Sequence, residues 1–444
     1  MRVAAAQVGG SRAALWTAFV AVHGWLAWVG VVLMPSRAFW DLDLYRYWAS
    51  LALDAGRWPV LDDPWVYPAG ALVPVLTPAL TGARTTVGYS VGWCVLVTVL
   101  DAVAVAVLLR AGRSPGGPGP TGRPRSAVVD GSAVVDGSAA VVEGSARVDG
   151  SAGRPGRRVP LGAWWWLAFL GLLGPVAMGR LDAVVAPMSV VALALAAPRP
   201  RVAAALLTAG AWVKVAPGAL LLPLVAVVAR PVRTVVLPAA TVCAVVVGTV
   251  AAGGGLARLA GFLTEQGRRG LQVESVAATP WVLAGVVDER VRIAFDDVLL
   301  TWEVTGPGTA TAVRVLGLAL PVAVAVLTVV LLRSRATPAD VLLWGALAAS
   351  TLLIAVNKVG SPQFVGWLAA PVAVALTVAH PRREWATVAV GVLAIAAMTQ
   401  LVFPIGADGV VTGDPLLTAV LATRNLAQVV LLVAAVRRLS RPAA

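Results

Sequence analysis

Histidine is almost missing from this chain of 444 residues: only His23 and His380 occur. Two imidazoles cannot build a histidine metal cluster. Cysteine is as rare, and Cys94 and Cys243 both lie inside apolar runs. That excludes a disulfide scaffold, and both thiols are expected to be unpaired. Lysine is scarce too. Lys and Arg total 35, yet Lys214 and Lys358 are the only lysines. Charged residues make up 13%, against about 25% in a soluble globular protein. A water-soluble fold is excluded on that ground.

What fills the chain instead is apolar: 59% of residues are hydrophobic. Runs of roughly 20 apolar residues recur from end to end, the length of a membrane-spanning helix. The net charge of +13 would suggest nucleic acid in a soluble protein. Here the arginines sit at short junctions between apolar runs, so they read as topology signals facing the cytoplasm. No nucleic-acid partner is expected; the lipid bilayer is. The fold class is an all-α polytopic membrane protein with about 12 transmembrane or half-spanning helices. The first apolar run is too long for a signal-peptide core and reads as a retained helix.

Taken in order, Arg2 and Arg12 place the N-terminus in the cytoplasm. A first helix over 13–34 leads to a polar outer loop, 35–85, and a second helix over 86–109 returns. The first unit is therefore 1–110. Residues 111–159 are rich in Gly, Pro, Ser and Arg, with a repeat of the type SAVVDG. They read as a disordered cytoplasmic linker rather than a calcium repeat, since each unit carries one acid. Short apolar segments follow at 161–178, 183–197, 202–213 and 217–229. A hairpin turning at Lys214 and Pro217, rather than one long helix over 202–229, keeps the later arginine junctions inside. A second polar outer loop is expected at 253–310, within the third unit, 160–444. Both termini come out cytoplasmic. Nearly all acids outside the repeat fall on the outer side, Asp101 being the clearest exception, so chemistry belongs on the outer face.

The densest polar stretch is 39–70, FWDLDLYRYWASLALDAGRWPVLDDPWVYPAG, with five carboxylates and four tryptophans. A short amphipathic helix over 44–55, stopped by Gly56, is expected on the membrane surface. Asp41 and Asp43 precede it. An aspartate before a helix serves as an N-cap, but one suffices, which leaves the other free as a general base for a sugar hydroxyl. Trp40, Trp48, Trp58 and Trp65 can stack on a sugar face or anchor at the headgroups. Trp164, Trp165 and Trp166 carry the same two readings.

Lys214 and Lys358 lie between apolar runs. A lysine there can hold a leaving phosphate or snorkel to the interface. RRGLQVES, 268–275, offers Arg268 and Arg269 for a phosphate and Gln272 and Glu274 for sugar hydroxyls, or else is a solvated loop. Arg424 falls in the last helix, where it can face a donor cavity; the alternative is that this helix begins later. Gln363 follows Lys358 and can contact donor or acceptor. Asp182, in GRLDA, is placed to orient an arginine.

The motif D-x-D-x-Y after the first helix, followed by GRWP and WVYP, resembles the first outer loop of GT-C fold glycosyltransferases. More narrowly the chain resembles glycosyltransferase family 87, the polyprenyl-phosphomannose-dependent mannosyltransferases. RRGLQVES, VKVAPGALLLPL at 213–224, and NKVGSPQFVGWLAAP at 357–371 are similar to further motifs of that group. The last is similar to one shared with the first mannosyltransferase of glycosylphosphatidylinositol assembly. The resemblance covers most of the chain apart from 111–159, which looks like an insertion.

The resemblance implies an inverting transfer from a polyprenyl-phosphate sugar donor to a cell-envelope glycolipid or glycan acceptor at the outer face of the plasma membrane. The first-loop aspartate becomes the base. Carried over, it falls on Asp41 or Asp43; family members often place it four residues before the tyrosine, which favours Asp41 before Tyr45. Tyr45, Gln272, Glu274, Gln363 and Trp40 would meet sugar or acceptor. Lys358, Lys214, Arg268, Arg269 and Arg424 would hold the donor phosphate. No cofactor or metal is implied, although two aspartates spaced as D-x-D also occur as metal ligands in sugar-nucleotide enzymes. An arabinose donor on the same fold, a multi-pass transporter or lipid flippase, and an inactive envelope scaffold are the rival readings. The absence of two similar six-helix halves counts against a transporter of that type.

Overall fold

A computed structural model describes residues 11–112, 159–378 and 383–441. The expected linker, apart from Ala111, Gly112 and Val159, its repeat, the N-terminal arginine Arg2 and the junction at His380 lie outside the described residues. Among those described, seven helices are long and apolar enough to cross a membrane: Arg12–Leu33, Thr86–Ala111, Val232–Ala252, Thr309–Arg333, Pro338–Ala355, Arg383–Ile405 and Pro415–Leu439. Six shorter apolar helical segments accompany them, including Leu161–Ala177, Asp182–Leu195 and Pro200–Val213. The described chain is almost entirely helical and built as a multi-pass membrane protein.

Burial sorts these helices. Pro338–Ala355 is almost entirely enclosed, with Leu347, Ala348 and Thr351 inaccessible. Thr309–Arg333 instead exposes Leu318, Val322 and Val326, and Val232–Ala252 exposes Val236 and Val245. Such apolar, outward-facing helices suit contact with lipid tails. In the interior, His23 Nε2 lies 3.0 Å from Asp101 Oδ2, both buried. Asp101, the acid that broke the sequence pattern, thus clasps the first long helix to the second. Trp165 and Trp166 are corrected from headgroup anchors to core residues: both are buried, and the Trp165 indole donates to the Ala389 carbonyl. Cys94 and Cys243 are free thiols.

The two short segments around Lys214 form a hairpin. Helix Pro200–Val213 stops where Lys214 turns extended. A Cβ on Gly210 would stand 3.1 Å from Pro217, so the chain doubles back rather than continuing as one rod. The result is a bundle with two chemically distinct ends. At one end, Ser334 donates to the Leu439 carbonyl and Arg438 pairs with Glu384 and Asp340. At the other gather 35–85, the turns at 178–182 and 214–216, 253–310, 357–363 and 401–414. Arg258 donates to Leu61 O, Gln272 N to Lys358 O, and Arg37 to Asp408.

The polar segment 253–310 is more than a loop. It carries an antiparallel hairpin, Arg292–Asp296 with Thr301–Thr305. It also has a small core of its own, in which Leu271, Val273, Val282 and Val304 pack on Val402, Val410 and Leu421. The expected surface helix exists, but it spans Trp40–Ala55 and starts four residues earlier than the reading of 44–55. Gly56 ends it in the left-handed region, φ 67°.

Candidate active site

That earlier start settles how the paired aspartates point. Asp41 and Asp43 lie within the first helical turn, and Phe39, not an aspartate, holds the N-cap position. Residues two apart on a helix diverge by roughly 200°. Asp41 therefore faces inward and is buried. Asp43 keeps 48% of its side chain exposed and sits 3.6 Å from Arg46, one turn on. The two carboxylates have different partners and do not converge on one point. Among the described residues no group of three His, Cys, Asp or Glu is gathered to hold a metal.

Asp41 pairs through Oδ1 with Arg180 Nη1. Arg180 comes from the turn before Asp182–Leu195, and that turn also delivers Asp182. Asp182 Oδ2 is 3.3 Å from Lys214 Nζ, and Asp182 Oδ1 accepts from the Trp367 indole at 2.6 Å. Two acids and two bases thus alternate in a buried quartet, Asp41, Arg180, Asp182 and Lys214, whose formal charges cancel. Pairing of this kind is what makes buried charge tolerable. Burial alone would lower the Lys214 amine, but Asp182 and Tyr67 outweigh it and hold the amine above its ordinary range. Arg180 Nε is buried with no protein acceptor among the described residues, so one donor of the quartet remains unspent.

Aromatic rings wall the quartet. Tyr45, Trp48, Trp65 and Tyr67 contact one another with centroids 5.4–6.2 Å apart. The Tyr45 hydroxyl donates to Asp41 Oδ2 at 3.5 Å and accepts from Leu181 N at 3.3 Å. Burial, with Tyr67 and Asp41 alongside, pushes the Tyr45 phenol well above its ordinary range, so it stays a donor. Lys214 Nζ lies 5.0 Å from the Tyr67 ring centroid and 5.6 Å from that of Phe364.

The remaining expected residues fall into two neighbouring groups. In one, Lys358 Nζ donates to Gly267 O at 2.8 Å, while Gln272 N reaches Lys358 O and Gln272 Oε1 accepts from Gly360 N. Gln272 is therefore a brace between 268–275 and 357–363, and Arg269 stands near Lys358. In the other, Arg424 is buried inside Pro415–Leu439, which rules out a later helix start. Its guanidinium is filled by Glu274 Oε2 at 2.7 Å, Glu274 O at 2.9 Å and Asn425 Oδ1.

Gln363 is buried beside Asp182, lining the same small cavity. Arg268 is 57% exposed and leans on Glu265, and Trp40 is exposed; neither joins the quartet. Sequence reasoning missed Arg180, although GRLD, a charged turn between apolar segments, carried the signal. It also missed Tyr67, which sits inside the noted WVYP. Compared with models of known protein families and with curated proteins, the chain matches none.

Proposed function

We propose that the chain is a membrane glycosyltransferase that moves a sugar, most simply mannose, from polyprenyl phosphate to a glycolipid or glycan acceptor. The reaction takes place on the outer face of the plasma membrane, with both termini in the cytoplasm. The motif resemblance and the arginine distribution support this reading. So does the gathering of all the motif segments at one end of the bundle. The observation that carries it is the buried quartet, because it supplies both halves of a displacement. Asp41 takes the proton of the attacking acceptor hydroxyl. The new bond forms at the anomeric carbon on the face opposite the phosphate, so configuration inverts. The bond from that carbon to the phosphate oxygen breaks, and its electron pair leaves with the polyprenyl phosphate. Lys214 and Arg180 receive the charge that develops there. Arg180 exchanges Asp41 for the phosphate as the donor enters, and that exchange releases the carboxylate for its work.

The test is transfer by purified protein in detergent, from radiolabelled polyprenyl-phosphomannose to a lipid extract of the source cells, with and without EDTA. Asp41→Asn lowers transfer by about 10²–10⁴-fold. Asp43→Asn, on the exposed side of the same turn, stays within about threefold, as for a surface change away from the chemistry. Full activity in Asp41→Asn would remove the quartet from the reaction. Loss with EDTA would return a metal to it. Transfer from a polyprenyl-phosphoarabinose donor alone would change the sugar and keep the site.

A further inference from the structure

Next to the quartet lies a cavity of about 340 Å³ that the reaction above does not use. It opens between the hairpin-bearing segment 271–305 and the segment 402–412. Its volume falls at the low end of small-molecule sites, about 300–1,000 Å³. Valines and an alanine form much of the wall. The polar and aromatic lining is Glu274, Trp302, Phe403, Asp408 and Thr412.

We propose that this cavity is a subsite for one pyranose ring of the acceptor glycan. The inference rests on the transferase reading for its place in the reaction, and on its own lining for its ligand. A pyranose has an apolar C–H face and a rim of hydroxyl donors. Trp302 is 41% exposed on its strand, braced by Phe295 at 5.2 Å, and offers an indole face. Glu274 offers an ionised acceptor for hydroxyls. Arg424 holds its Oε2 and its backbone carbonyl, while Asn425 Nδ2 donates to Ser275 O and Thr279 Oγ1. Glu274 Oε1 has no protein partner among the described residues. A carboxylate fixed by a buried arginine, with one oxygen left over on a cavity wall, is preorganised for a ligand. Asp408 adds a second carboxylate at the rim, tied at 2.5 Å to Arg37.

Phe403 links the cavity to the reaction centre. Helix Arg383–Gln400 loosens at Leu401–Ile405, and Phe403 turns extended there. Its ring forms part of the cavity wall and also lies 5.4 Å from the Arg180 guanidinium. One ring thus separates the cavity from the Arg180–Asp41 pair. A glycan seated here lies one ring away from Arg180, whose partner Asp41 is the group assigned to the acceptor hydroxyl.

Two readouts test this. In the transfer assay, Trp302→Ala raises the acceptor KM about tenfold, while the donor KM and the transfer rate at saturating acceptor hold. Trp302→Phe recovers most of the loss. In the second, a diazirine-bearing methyl α-mannoside is photocrosslinked to the full-length wild-type protein, and the labelled peptides are mapped. The label falls on peptides containing Trp302 or 402–412, and free methyl α-mannoside competes it away. A rise in donor KM instead, or unchanged constants with label elsewhere, overturns the subsite while leaving the reaction standing. Competed label in the cavity without any transfer upholds sugar binding and sinks the reaction. No competed label anywhere overturns the subsite.

Discussion

Lys214 and Lys358 show how two residues of one type divide the work. Lys214 is enclosed and paired with Asp182. Among the described residues Lys358 Nζ reaches a carbonyl, Gly267 O, with Glu303 and Arg269 in its field. Partial burial lowers its amine; Glu303 opposes that and Arg269 reinforces it, leaving the amine below its ordinary range. The sign follows directly. A lowered amine sheds its proton at a lower pH than an ordinary lysine does. If Lys358 steadies the donor phosphate, the donor KM climbs with pH earlier than an ordinary lysine would allow. Lys358→Arg flattens that climb, because a guanidinium stays charged. Donor KM measured from pH 7 to 10 in both proteins decides it, and parallel profiles would take Lys358 out of phosphate binding.

At the scale of elements, the crossing of 357–363 over 272–275 holds the motif at 268–275 and the motif at 357–371 together. Gly360 is packed on the backbone of Glu274 and Ser275 so closely that a Cβ has no room. The obstruction is backbone, not a movable side-chain tip. Gly360→Ala therefore costs about 1–3 kcal/mol of overpacking and pries 268–275 away from Lys358. A lower unfolding midpoint in detergent, with new proteolytic cleavage within 268–275 and helical content kept, is the expected outcome; an unchanged midpoint would refute the crossing.

Which elements could be read in advance follows from the range of the signal. The stop at Gly56 was legible from local chemistry, and the hairpin at Lys214 from the side on which the later arginine junctions must fall. The start at Trp40 was not, because Asp41 and Asp43 mimic a capping signal where Phe39 does the job without a side-chain bond. The strands were written in alternation as RIAFD and TWEVT, but the surrounding acids made that stretch look like a loop. The pairing of Asp41 with Arg180, and of Glu274 with Arg424, joins residues far apart in sequence and left no local trace at all.

For the molecule as a whole, the sequence pattern that put polar segments at one end is reproduced in space, and the opposite end is closed by Arg438, Glu384 and Ser334. The described residues on either side of 113–158 meet: Gly112 packs directly on Pro160. The quartet, the aromatic wall and the cavity are all built from residues outside that segment, and the helices flanking it, Thr86–Ala111 and Leu161–Leu173, are in contact. The entropy of closing a loop grows only with the logarithm of its length, about 0.6 kcal/mol per doubling. Replacing 113–158 by a short Gly/Ser linker therefore leaves the unfolding midpoint equal or slightly higher. Transfer activity stays within about twofold of wild type, as expected when no contact of the site is altered. Both are measured on the same detergent-purified protein. A loss of transfer at an unchanged midpoint would mean that 113–158 contributes to function directly, and the active end of the bundle would then not be self-sufficient.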